Sequence, residues 1–358
     1  MQTSIFDSRT QHLYLHIPFC NHICTYCDFK RILKTNKTQY LVDNYLENTL
    51  LAIQKYCVPK QFKTIFLGGG TPNCLTNNEL EKLLAVLEKY AADNCEFSIE
   101  CNPDLITIDQ ILIFKKYRVN RISLGVQSTN NAILKQVNRL HTIEDVEHAI
   151  QLLQMNGITN ISCDFIYNLE NLTFQDIDDV FLFLSKNSIQ HVSFYALEIK
   201  SNSLLKRLGC TIDEDKEADQ LTYIIQQFAK YNYTRYEVSN WVLNPQYKCQ
   251  HNLAYWLTKD WMAFGFGAHG LENKTQYQYN APLDQPELIT NPLSDYDYYQ
   301  QILMMGLRLA DGLDLKNPLY LQAYNFFKDK LEYVYIENNF LKAESLDLLN
   351  QTLLSLFD

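Results

Sequence analysis

No stretch of this 358-residue chain approaches the ~20 consecutive apolar residues that a membrane-spanning helix needs. Its opening, Met1 to Thr10, holds no apolar run of secretory-signal length. Positive charge is in deficit: 31 Lys and Arg stand against 41 Asp and Glu, a formal net charge of −10. That balance argues against a broad nucleic-acid surface and for an anionic, soluble protein. No internal repeat or low-complexity tract is present. These absences together lead to the expectation of a protein of the reducing cytoplasm. Cys57, Cys74, Cys95, Cys163 and Cys210 are then expected to be free thiols, mostly buried.

Cysteine itself is plentiful. Of ten, three fall within eight residues, in Cys20-Asn-His-Ile-Cys24-Thr-Tyr-Cys27. Three thiolates on one short loop can each reach a different iron of a cubane cluster, leaving the fourth iron open to a small molecule. Zinc is the rival: a closed structural site wants four ligands, and His16 or His22 could supply one. Ordinary apolar cysteines are a third reading, disfavoured by the charged and polar neighbours. Tyr (24) and Phe (19) are abundant too. Composition does not tell a wall for a flat macrocycle from plain core packing. With 47% hydrophobic residues, a full core is available.

From Leu13 to Tyr195 short apolar runs alternate with amphipathic stretches. Strands are expected at Leu13–Ile17, Thr64–Leu67, Glu96–Glu100, Arg121–Gly125, Asn160–Phe165 and His191–Tyr195. Helices are expected from Thr38 to Cys57, after Thr76 (a Thr76-x-x-Glu79 capping box), after Thr107, from Thr142 to Asn156 and from Thr173 to Lys186. Gly157 is placed to end the fourth of these. Alternation of this kind implies a parallel sheet covered by helices. Periodicity leaves open whether the sheet is an incomplete barrel or flat and doubly wound.

Ligands of parallel barrels sit at the carboxyl ends of strands, and several distinctive residues fall there. Gly68-Gly69-Gly70-Thr71-Pro72 would expose backbone N–H groups to a ligand, or would simply turn. Glu100 and Gln127 end strands; Arg139 and Asp164 follow or lie in the next. Singly, each is as readily a routine polar residue. Glu198, after the sixth strand, borders a cleft or makes a surface ion pair. A helix from Lys216 to Tyr231 and a strand at Tyr233–Val238 lead to a boundary near Ser239. Beyond it, His251-Asn-Leu-Ala-Tyr-Trp256 offers an axial ligand for heme iron in His251, with Tyr255 and Trp256 to pack on a porphyrin and Cys249 as a further ligand. The alternative is an aromatic loop docked on the barrel, its histidine hydrogen-bonded internally. Gly265-Phe-Gly267-Ala-His269-Gly270 reads as a turn near the site. Pro282, Pro286 and Pro292 mark a loop or linker. Tyr298–Leu309 reads as helix and Glu332–Ile336 as a possible strand.

Taken together, Tyr14 to Phe29 resembles the cluster loop of radical S-adenosylmethionine (SAM) enzymes. It is most similar to their anaerobic coproporphyrinogen oxidase group, which includes a heme-chaperone branch. The Gly-Gly-Gly-Thr-Pro run, Glu100, Gln127 and Arg139 follow in the family's order, and Met304 to Leu315 resembles the opening of its C-terminal domain. The resemblance implies an α/β fold, an incomplete (βα)6 barrel with a smaller, mainly helical C-terminal domain. It divides the chain into a barrel (1–238), an aromatic linker segment with the HNxxYW signature (239–292) and a C-terminal domain (293–358). It implies a [4Fe–4S] cluster on Cys20, Cys24 and Cys27. SAM would be held by Tyr14, Phe29, Gly69, Gly70, Thr71, Glu100, Gln127, Arg139 and Asp164, and heme by His251, Tyr255 and Trp256. Asn168 and Glu170 stand where the family carries Gly and Pro, and Asn tolerates the positive φ a Gly would supply. Two features lean toward the chaperone branch: Phe29 stands where the oxidases carry a further cysteine, and the first strand begins already at Leu13. Heme-accepting apoproteins and an electron donor are the implied partners. The alternative is oxygen-independent coproporphyrinogen III dehydrogenase, a radical oxidative decarboxylation.

Overall fold

The computed structural model describes residues 5–280 and 287–357. Pro282 and Pro286 therefore lie outside the described residues. Six strands each give way to a helix: β1 (His12–Ile17), β2 (Phe62–Gly69), β3 (Ala91–Cys101), β4 (Arg121–Gln127), β5 (Ile161–Tyr167) and β6 (His191–Ala196). They pair in parallel and in strict sequence order. That order decides between the two architectures. A doubly wound sheet reverses direction at a switch point; here every crossover advances the same way, so the right-handed rule puts all the helices on one face. The sheet curves and stays open. Beyond β6 it gains an antiparallel pair, β7 (Thr234–Glu237) and β8 (Asn240–Val242). Before β1 it gains β9 (Met262–Phe264), parallel to it. The result is an incomplete (βα)6 barrel, nine strands wide among the described residues.

The helices that follow these strands, α1 (Gln39–Tyr56), α2 (Asn77–Leu87), α3 (Ile108–Lys116), α4 (Ile143–Met155), α5 (Phe174–Lys186) and α6 (Glu214–Lys230), begin where the chain chemistry says they should. Thr76, Thr142 and Thr173 each accept the N–H three residues on and close capping boxes with Glu79, Asp145 and Asp176. Gly157 lies at φ +83°, and Asn168 at φ +61°, so the asparagine does adopt the conformation expected at a glycine position. It is pinned there by Gln220, whose side-chain oxygen accepts the Asn168 N–H at 2.8 Å.

Residues 239–292, read from sequence as a linker segment, supply two strands of the main sheet instead. They also carry a short helix, α7 (Gln250–Trp256), and a three-stranded antiparallel sheet that ends at Leu288–Pro292. Pro292 thus closes an edge strand, where its missing N–H costs nothing. The C-terminal part packs helices Asp295–Gly306 and Pro318–Phe327 against a small antiparallel sheet, around a core of its own that includes Ile302, Leu303, Phe327 and Leu341. The Tyr320 hydroxyl ties it to the Leu257 carbonyl at 2.7 Å. All ten cysteines are unbridged. Among the described residues no helix is long and apolar enough to cross a membrane.

Candidate functional site

The cysteine loop leaves the end of β1 and is closed on itself. Phe19–Cys20 pairs with Ile32–Leu33, and Ile32 and Lys34 donate their N–H groups back to Pro18 and Cys20 at 2.6 and 2.8 Å. The glycine run after β2 is zipped to the same loop: Gly70 and Thr71 donate to Ile17 and Phe19, each at 2.8 Å. A Cβ on Gly70 would stand 2.7 Å from the Phe19 carbonyl oxygen and 2.8 Å from Cys20 Sγ. The Thr71 hydroxyl is hydrogen-bonded to the Cys20 thiol. Gly69, at φ +112°, lets the His16 ring lie over it. Both nitrogens of that ring are engaged, with Tyr14 OH at 3.1 Å and the Lys30 carbonyl at 2.9 Å. His16 therefore braces the loop's two ends and is spoken for as a metal ligand.

Burial raises the Cys20 thiol to about 11 and raises Cys27 as well. At Cys24 burial is outweighed by the hydrogen bond from His22 and the charge of Arg139, which bring the thiol down to about 7. Among the described residues no group of three or more His, Cys, Asp or Glu side chains is placed to hold a metal ion. A zinc ion needs its donors to converge on one point. A cubane offers each thiolate its own iron, and Cys20, Cys24 and Cys27, close enough for each to feel the others' charge, fit that demand. Gly70→Ala is expected to force the glycine run and the cysteine loop apart, lowering stability by about 1–3 kcal/mol. Thermal unfolding and iron content after anaerobic reconstitution, read together, check this.

Next to the loop, the strand ends carry the expected polar set. Glu100 Oε2 accepts the Gly69 N–H at 3.0 Å. Gln127 sits at φ +71° in a bulge of β4, where the register against β5 slips. The bulge turns its amide back over Gly125, beside Arg139. Arg139 donates to the Gly125 carbonyl at 2.6 Å, to Asn102 at 3.0 Å and toward Cys24 Sγ at 3.6 Å. Asp164 accepts from Ser123 at 2.8 Å and Ser162 at 3.1 Å. Phe29 behaves differently: its side chain is 61% exposed, and only its backbone meets the site, in a hydrogen bond to the Cys27 thiol. Glu198 is exposed and paired with Lys200, and His269 is exposed.

Inside the barrel lies a cavity of about 170 Å³, lined by Tyr14, Glu100 and Asp164 from the strands and by His251, Asn252 and Tyr255 from α7. Glu100 and Asp164 thus share one space with three residues of the His251–Trp256 stretch. His251 is 1% exposed and fully engaged: Nδ1 with Thr64 Oγ1 at 2.7 Å and Nε2 with Tyr255 OH at 2.8 Å. Phe66 stacks on its ring at 5.2 Å. Trp256 faces away from the cavity, with the Arg308 guanidinium 5.6 Å over its ring. Cys249 is no free ligand; burial pushes its thiol up to about 12, and it donates to Glu96.

Sequence reasoning missed Arg121, Ser123, His191 and Ser193, which also line the cavity. A signal for them exists. On β3 to β6, polar residues recur at every other position: Ser98 and Glu100, Arg121 and Ser123, Ser162 and Asp164, His191 and Ser193. They stand in register across neighbouring strands. Their alternates, such as Ile99, Leu124, Cys163 and Val192, are buried under the helices. Period two with the polar face inward marks a solvated or ligand-bearing barrel interior.

A model of the Radical SAM superfamily matches residues 14–184. The chain is 34% identical over 357 residues to a heme chaperone HemW of Lactococcus lactis subsp. lactis, covering 95% of this chain and 90% of that protein. It is 29% identical over 325 residues to a heme chaperone HemW of Bacillus subtilis, at 85% and 84% coverage. Among solved structures, coproporphyrinogen III oxidase from Escherichia coli superposes with a TM-score of 0.79 at 18% identity, over 98% of this chain and 90% of that one. At that identity the likeness concerns the fold.

Proposed function

The chain belongs to the radical SAM superfamily and, within its coproporphyrinogen oxidase-like group, to the HemW family, and on that footing we propose that it is a heme chaperone. It holds a [4Fe–4S] cluster, SAM and heme, and passes the heme to acceptor apoproteins in the cytoplasm. The observation that carries this reading is the meeting of Glu100 and Asp164 with His251, Asn252 and Tyr255 around one cavity.

Cys20, Cys24 and Cys27 would hold the cluster. Gly69, Gly70, Thr71, Glu100, Gln127, Arg139 and Asp164 would hold SAM, with Tyr14 behind Glu100 and the backbone of Phe29 at Cys27. When bound and reduced by an electron donor, the cluster supplies single electrons and an open iron to SAM. The chain's own part is to orient these groups and keep water out. Arg139 neutralises the thiolate of Cys24, and Glu100 fixes the glycine turn. Heme is cargo, and a space of about 170 Å³ is smaller than the ~300–1,000 Å³ of ordinary ligand pockets. It is therefore received on α7 with Tyr255 displaced, which bares Nε2 of a neutral His251. That side chain is held at about 3 by burial, in the form that binds iron.

Hemin titration tests the assignment. His251→Ala should bind hemin at least about tenfold more weakly than wild type, ~1.4 kcal/mol. Equal binding would remove His251 from the heme site. Transfer to a heme-free acceptor with the cluster reduced tests delivery. Clear protoporphyrinogen formation from coproporphyrinogen III would replace the chaperone with the oxidative decarboxylase.

A further inference from the structure

The two ring nitrogens of His251 are not isolated contacts but the middle of a longer chain. Thr64 Oγ1, 2.7 Å from His251 Nδ1, is also 3.0 Å from His12 Nδ1. His251 Nε2 continues to Tyr255 OH at 2.8 Å. His12 and Thr64 face each other directly across β1 and β2. The outer end of the chain opens on a pocket of about 380 Å³ at the amino-terminal end of the barrel, where His12 stands among Asp7, Arg9, Lys259 and Asp260. The inner end, Tyr255, faces the barrel cavity with Glu100 and Asp164. Between the ends, Thr64 and His251 are 2% and 1% exposed, with Phe66 stacked on the His251 ring.

We infer that His12, Thr64, His251 and Tyr255 form a proton relay joining the amino-terminal pocket to the barrel interior. Every member can give one proton while taking another, which is what such a path requires. Inward, His12 takes a proton at Nε2 and passes its Nδ1 proton to Thr64 Oγ1. Thr64 gives its hydroxyl proton to His251 Nδ1. His251 gives its Nε2 proton to the Tyr255 oxygen, and the Tyr255 hydroxyl proton enters the cavity. One N–H or O–H bond breaks and one forms at each link, and the four members end in the opposite polarity.

Both imidazoles must be neutral for this, each with one bare nitrogen. Burial, with the charges of Lys259 and Lys63, lowers His12 to about 4, and the two nitrogens of His251 each face one hydroxyl partner, Thr64 and Tyr255. Around His251 the other charged and titratable neighbours are Glu96, which accepts its backbone N–H, and Tyr255 and Tyr14. The relay has a use at the inner end. Glu100 and Asp164 are both held toward their protonated forms by burial, and a ligand covering the strand-end mouth closes their route to solvent. The opposite end of the barrel then remains as the way in and out for protons. The relay belongs to the heme-free chain, in which Tyr255 rests on His251 Nε2.

The test is solvent exchange at the His251 ring N–H in the full chain labelled with ¹⁵N-histidine, followed by NMR. Wild type should exchange about a hundredfold or more faster than Thr64→Val, the usual worth of a positioned proton carrier. Thr64→Ser should restore the rate, and His12→Phe should slow it as Thr64→Val does. Backbone amide exchange along Phe62–Gly69 should stay unchanged, a readout that loosened packing would move. Should Thr64→Val fail to fold, His12→Phe, at the half-buried outer end, decides alone. Equal ring N–H exchange in wild type and His12→Phe overturns the relay. So does slowing that Thr64→Ser fails to restore.

Discussion

Cys24→Ala protein, reconstituted anaerobically, should retain almost none of the about four iron and four sulfide per chain that a [4Fe–4S] protein carries. Cys57→Ala should retain the full complement. The contrast rests on surroundings, since both thiols are buried. Cys57 is pushed up to about 12 by burial, with the charge of Glu272 adding, and its sulfur lies in the apolar core 4.0 Å from that of Met262. Cys24 has a guanidinium at 3.6 Å and an imidazole nitrogen at 4.0 Å. A thiolate is the metal-binding form, and at neutral pH Cys24 is the one of the three already near it. Cys20 and Cys27 need the positive charge of the metal to ionise. Loss of Cys24 should therefore abolish assembly, while circular dichroism stays that of the wild type because the loop is zipped by backbone hydrogen bonds at Pro18, Cys20 and Phe19. Iron and sulfide analysis measures it, and a Cys24→Ala protein that assembles a full cluster would sink the three-thiolate site.

The other large effect is on stability against pH, read on the cluster-free protein. Burial, with the charge of Asp164 adding and the Gly69 N–H opposing, pushes the Glu100 carboxyl up to about 8. Below about 4.5, its ordinary value, folded and unfolded chains are both protonated and the contribution is whole. As pH rises toward 8 the unfolded chain ionises while the folded one keeps its proton, so stability falls across that window and levels off above it. Glu237, at about 7, and Glu272, at about 8, are raised by burial too and add to the same slope. Glu100→Gln takes one of the three away. It should be more stable than wild type by about 1–3 kcal/mol at pH 8.5 and equal to it at pH 4.5. Urea denaturation at the two pH values checks this, and parallel curves would refute it. The gain should come with weaker binding of any cationic ligand, since the carboxylate is what such a ligand would meet.

Much of the site was visible in residue order because its parts are local. The cysteine spacing, the glycine run and the capping threonines each act within a few residues. Asn168 could be placed at positive φ because the resemblance puts a glycine there and an asparagine side chain tolerates that conformation. Phe29 and the stretch after Ser239 show the limit. Phe29 is close to the cysteines in sequence, yet it turns its ring to solvent. The stretch after Ser239 reads as a linker because the two strands it adds to the main sheet are three residues long, too short for any period to register. They become strands by pairing with β1 and β6, far away in the chain.

Alternating strands and helices, the cysteine triplet and the polar strand ends are properties of the chain read alone, since backbone geometry repeats every two or 3.6 residues and shows in composition. Only the fold decided that the strands run in one unbroken order and so close toward a barrel. It alone spent both nitrogens of His16 and His251 on internal partners and lined up His12 with Thr64. Those outcomes depend on which residues face each other across hydrogen-bonded strands, a register set by the packing of the whole sheet.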